Sequence, residues 1–133
     1  MLVFTVPGQI VFHHHADWHA VRCEWLGYGP SRTQRAALLR AAAYCRAHPA
    51  ITGWIIDLRH TEGAMLRHDP AWLARVFNPA MARTGVRDFI NILPPRLVLP
   101  DEVGRWEQAG GFRMADAGSL EQAHAMLTAL VPA

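Results

Sequence analysis

Trp54-Ile55-Ile56-Asp57-Leu58 decides the fold of this 133-residue chain. The run is short, apolar and rich in β-branched residues, and Gly53 and a polar loop bound it. Those features predict a strand covered on both faces, at the centre of a sheet. Working upstream, His48-Pro49 stops a helix that begins after Gly27-Tyr28-Gly29-Pro30, at Ser31. Ser31 and Gln34 form a capping-box pattern. Leu38, Ala42 and Cys45 fall on one face of that helix, while Arg32, Arg35 and Arg46 can reach solvent. Earlier still, Leu2 to Val6 and Gln9 to His14 flank the Pro7-Gly8 turn signal, and Ala20 to Leu26 alternates Val21, Cys23 and Trp25 with Arg22 and Glu24. Three strands with an antiparallel N-terminal hairpin follow from this pattern.

Downstream of the central strand, a polar loop covers Arg59 to His68. Asp69-Pro70 then supplies an N-cap and a proline at the first helical position, and Trp72, Val76 and Met81 form the inward stripe of a helix that Gly85 ends. Pro79 removes a backbone donor, so a kink is predicted near Asn78. Phe89 to Leu93 is a second buried strand, stopped by Pro94-Pro95. Asp101 to Ala109 is read as a short helix anchored by Trp106, and Gly110-Gly111 precedes a brief strand at Phe112 to Ala115. Ser119 and Gln122 cap a last helix with Leu120, Ala123, Leu127 and Leu130 on one stripe. The expected order is ββ(β)αβαβαβα in one domain, 1–133. It is an α/β fold with a mixed sheet, parallel central strands and about four helices packed on it. In such sheets ligands collect beyond the carboxyl ends of the strands, which directs attention to the loops at Arg59 to His68 and Pro94 to Pro100.

Composition narrows the function classes. Hydrophobic residues make up 51% and charged ones 18%, which supports a packed globule over a disordered chain. All 13 basic residues are arginine, scattered among 11 acidic ones for a net charge of +2, so no nucleic-acid partner is implied. Cys23 and Cys45 lack Cys-x-x-Cys spacing and read as buried thiols. The N-terminal stretch has no charged n-region and no run spans a bilayer, so a cytoplasmic protein without membrane insertion is expected.

The ordered set Trp25-Leu26-Gly27, Asp57-Leu58-Arg59, Trp72 with Pro79 and Gly85, and Ile92-Leu93-Pro94 carries a family likeness. It continues through Trp106 before Gly110-Gly111-Phe112, and Ser119-Leu120-Glu121-Gln122-Ala123. Over nearly its whole length the chain resembles the STAS superfamily of sulfate-transporter and anti-sigma-factor-antagonist domains, most closely its SpoIIAA-like stand-alone branch. The resemblance implies a non-enzymatic binding or regulatory module that contacts a protein partner or a small ligand, and a homodimer is the commonest form expected of so small a domain. It departs from the switch members at one place. They carry an Asp-Ser pair after the central strand, whereas Arg59-His60-Thr61-Glu62-Gly63 offers Thr61 as its one hydroxyl, which puts phosphorylation control in doubt.

Candidate chemistry concentrates in two places. Asp57, Arg59, His60, Thr61, Glu62 and Gly63 form the expected ligand- or partner-binding loop, where Arg59 could hold an anion or pair with Asp57 or Glu62. His60, Glu62, His68 and Asp69 crowd the same loop, but their spacing matches no known catalytic pattern. His13 and His15 would share one strand face, as zinc or copper ligands can, with His14 on the other and His19 and Asp17 nearby. A solvated strand end is the favoured reading of this run. No nucleophile elbow and no phosphate-cradling glycine loop occurs. The reading is therefore a module without catalytic residues, cofactor or metal. Its rivals are a histidine-based metal enzyme or metal sensor, and a carrier of a small apolar ligand, which needs a cavity on the order of several hundred Å³. Trp25, Trp54, Trp72 and Trp106 are expected in the core, and Trp18 at the surface.

Overall fold

The computed structural model describes residues 1–27, 31–60 and 70–129, with the side chains of Ser31 and Pro70 also left aside. Among these residues seven strands form one mixed sheet: β1 (Leu2–Val6), β2 (Ile10–His15), β3 (Ala20–Trp25), β4 (Gly53–Asp57), β5 (Asp88–Ile92), β6 (Glu107–Ala109) and β7 (Phe112–Ala117). Their order is β1-β2-β3-β4-β5-β7-β6. The two N-terminal pairings and the β6–β7 pairing are antiparallel, and β3-β4-β5-β7 are parallel. Trp54 and Ile55, in the middle strand, are almost fully sealed, as two-sided cover requires, while Ile56 is half-buried.

Among the described residues, three helices flank the sheet. The first, α1, is Ser31–Ala47 and buries Leu38, Ala42 and Cys45. The second, α2, starts as Pro70–Trp72, widens into a π turn at Leu73–Phe77 and closes as Asn78–Ala82. The third, α3, is Leu120–Thr128, where the Ser119 hydroxyl accepts from Gln122 N at 3.0 Å and the Gln122 side chain accepts from Gly118 N at 2.8 Å. The Ser31 cap, the Asp69 cap and Leu130 fall outside the described residues.

Strand alternation sorts side chains onto two faces. One face carries Phe12, Cys23, Trp54 and Ile56 and packs under α1 and α2 in the larger core. The other carries Ala20, Ile55, Ile90, Ile92 and Ala117 and packs under α3 in a smaller one.

Three expectations are corrected. Asp101 to Ala109 is not a fourth helix. Gly104 takes a left-handed φ of 83° and donates its N–H to the Asp116 carbonyl at 2.8 Å, which turns the chain. Glu107–Ala109 then pairs with β7 through a two-residue turn in which Gly110 and Gly111 have φ of 58° and 88°, the double-positive geometry of a tight hairpin. Val76 points outward, at 36% exposure, and Phe77 is buried instead. The reason is the π turn just before Pro79, where Asn78 N–H reaches back to the Leu73 carbonyl and one extra residue shifts the inward stripe. Trp18 is half-buried, stacked between His15 at 4.2 Å and His124 at 4.1 Å.

Candidate functional site

Register places the residues at the end of β4 on opposite sides of the sheet. Asp57 is fully buried on the face of α3, and Arg59 clamps it with two parallel bonds, Nε to Oδ1 at 2.9 Å and Nη2 to Oδ2 at 2.8 Å. The Arg59 backbone N–H also donates to Oδ1 at 3.2 Å. From β3, Arg22 Nη1 reaches Oδ2 at 3.3 Å and Glu24 Oε2 at 3.6 Å. Burial alone would raise the Asp57 pKa, but the hydrogen bonds and positive charge of Arg59, aided by Arg22, outweigh it and hold the carboxyl below its ordinary value. The sequence-predicted pair Asp57 and Arg59 is thus brought together, each satisfying the other. His60 is exposed beside them. Thr61, Glu62 and Gly63, with His68 and Asp69, lie outside the described residues.

The histidines of β2 also split by face. His13 and His15 share the Arg22 side, with ring centroids 6.2 Å apart, and His13 Nε2 lies 3.8 Å from Glu24 Oε2. His14 points the other way and shares a 2.7 Å hydrogen bond with the Tyr44 hydroxyl. These side chains are half-buried rather than solvated. Burial, then the positive charge of Arg22, lowers the His15 pKa to about 4, and burial lowers those of His13 and His14. Among the described residues, no group of three or more His, Cys, Asp or Glu side chains is placed to hold a metal ion. Cys23 and Cys45 are free, buried thiols, and burial pushes Cys45 up to about 12 and Cys23 up further, so neither is a ready nucleophile.

The other face holds an open volume. A cavity of about 480 Å³ lies between the π turn of α2 and the sheet from β3 to β7. Trp25, Trp54, Ile56 and Phe89 form much of its floor, Leu73 and Phe77 one wall, and Phe112, Met114 and the β6–β7 turn the other. It exists because of how the helices are shared out. The first two helices pack on each other on this face, whereas the helix seated on β5 and β7 is α3, on the opposite side. Phe89 and Phe112 are consequently only half-buried, and Met114 is 37% exposed. Their rings pack edge to face at 5.2 Å, and Phe89 meets Trp54 at 6.0 Å, so the floor is a continuous aromatic surface. Two asparagines, Asn78 and Asn91, are the amide side chains of the described lining.

Trp25 and Trp54 join the core, as their strand positions predict, and also line the cavity, which those positions do not reveal. A signal was present in Phe89-Ile90-Asn91-Ile92, where alternation puts the asparagine on the same face as the phenylalanine. Val76 and Phe77 exchange roles through the π turn, which no periodicity shows. Comparison of the chain with family models, with curated proteins and with solved structures found no match. No helix of the described residues is long and apolar enough to cross a membrane.

Proposed function

We propose that the chain is a non-enzymatic binding module of STAS-like type whose ligand is a small, mainly apolar molecule held between α2 and the exposed end of the sheet. The observation that carries this reading is the cavity of about 480 Å³ with its aromatic and aliphatic lining. Pockets of this size and character bury most of a small organic ligand, with a few polar groups to orient it. Its described lining contains no serine, cysteine, histidine or charged residue, so it offers no nucleophile or proton-transfer group, which favours binding over turnover. The strand and helix order supports the STAS-like part of the proposal.

The neutral dye phenylnaphthylamine, whose fluorescence rises in apolar surroundings, tests the reading. It is expected to saturate at one molecule per chain. Met114→Trp, which projects a larger ring into the opening from β7, should weaken binding by about tenfold or more while leaving the melting temperature nearly unchanged. A linear, unsaturable rise in fluorescence, or a Met114→Trp protein that binds like the parent, would refute it.

A further inference from the structure

Asn91 is the polar side chain on the sheet floor of the cavity, and its orientation is set from outside. Its Nδ2 donates to Asp116 Oδ1 at 3.2 Å. A carboxylate can only accept, so the amide must turn its nitrogen to Asp116 and keep its own oxygen as a free acceptor. Asp116 pairs in register with Asn91, and Glu107 with Met114, so both acidic residues belong to the cavity face of the sheet. Neither is itself a lining residue, and the described lining holds no cation. Asn78, across the opening on α2, is exposed and can present either end of its amide.

This end of the cavity therefore offers an acceptor backed by negative charge. A hydroxyl or amine would meet the Asn91 oxygen as a donor, with the Asp116 carboxylate one hydrogen bond behind it. A carboxylate would lose its water to face a like charge, with no cation in the described lining to receive it. We propose that the cavity selects apolar molecules ending in a hydrogen-bond donor, an alcohol or an amine, and discriminates against the carboxylate of the same chain length. The inference rests on the ligand-binding reading above and adds the chemistry of the head group.

Displacement of phenylnaphthylamine by dodecanol, dodecylamine, methyl dodecanoate and dodecanoate, at neutral pH and below their aggregation limits, separates the two. The alcohol and the amine are expected to displace the dye at concentrations about tenfold lower than the ester or the carboxylate. Asp116→Asn, whose amide can donate, should strengthen dodecanoate and shrink the ratio to about threefold or less, each displacement being referred to the dye affinity of the same variant. Asn91→Leu should erase the advantage of the alcohol over the ester by a separate route, which keeps the test decisive if one variant folds poorly. Equal displacement by dodecanol and dodecanoate, or a ratio that neither substitution moves, would overturn the head-group inference alone. Absence of any saturable dye binding would overturn the ligand-binding reading and this inference with it.

Discussion

The two sides of β4 at its carboxyl end make opposite use of neighbouring residues. On one side Asp57 is sealed, with both oxygens occupied by Arg59 and Arg22. On the other, Ile56 and Leu58 face an open apolar volume. Charged residues near a strand end attract attention as a site, yet here their mutual satisfaction leaves little for a ligand. The less conspicuous side has apolar surface that the chain's described residues do not cover, and uncovered apolar surface gains most from a visitor.

The comparison can be broken most forcefully at Trp54, which is 1% exposed and serves the core and the cavity floor together. Trp54→Ala should cost about 4 kcal/mol in a urea titration and enlarge the cavity. Asp57→Ala should cost about 3 kcal/mol, because two arginines lose their buried carboxylate. It should nonetheless leave dye affinity per folded molecule unchanged, since the pair lies across the sheet from the cavity. Loss of dye binding in folded Asp57→Ala would merge the two sides and defeat the contrast.

Acid should act on His15, which lies on the Asp57 side. His15 stays neutral in the folded chain down to about pH 4 against an ordinary value of 6.5, so the unfolded state binds the extra proton between those values. Stability should therefore fall as pH drops through that window, by about 1–2 kcal/mol after allowance for solvent screening, and His15→Phe should flatten the slope. The Asp57 contribution has the depressed-carboxyl sign: it is present above the ordinary value of 3.8 and is lost as pH falls below it toward the folded value. The smallest effect is expected at the hairpin tip, where Gly111→Ala must adopt a φ of 88° at a cost of about 1 kcal/mol. A thermal scan would check it, and a larger loss would mean that the β6–β7 wall is held by more than its turn.

Much of the framework was legible because local and global signals agree. Two-sided burial marked β4 and β5, the Pro7-Gly8 turn marked the N-terminal hairpin, and the bounds of α1 followed from Ser31 and His48-Pro49. The stretch from Asp101 to Ala109 misled because helix-compatible residues there are overruled by Gly104 and by pairing with β7. Of the candidate site, the Asp57–Arg59 pairing could be read as an option from adjacency. The cavity could not, because it arises from which helix covers which part of the sheet, and from a π turn that redirects Phe77. Asn91 carried a partial hint by its place in the alternation.

Methyl NMR of the folded chain during a phenylnaphthylamine titration tests the central claim most directly, since isoleucine, leucine and methionine methyls report on both faces at once. Saturating shifts at Ile56, Leu58, Leu73 and Met114, with Ile55, Ile90 and Ile92 nearly still, are the predicted result. Shifts centred on Ile55, Ile90 and Ile92, or spread evenly over both faces, would contradict a ligand site on the aromatic side of the sheet.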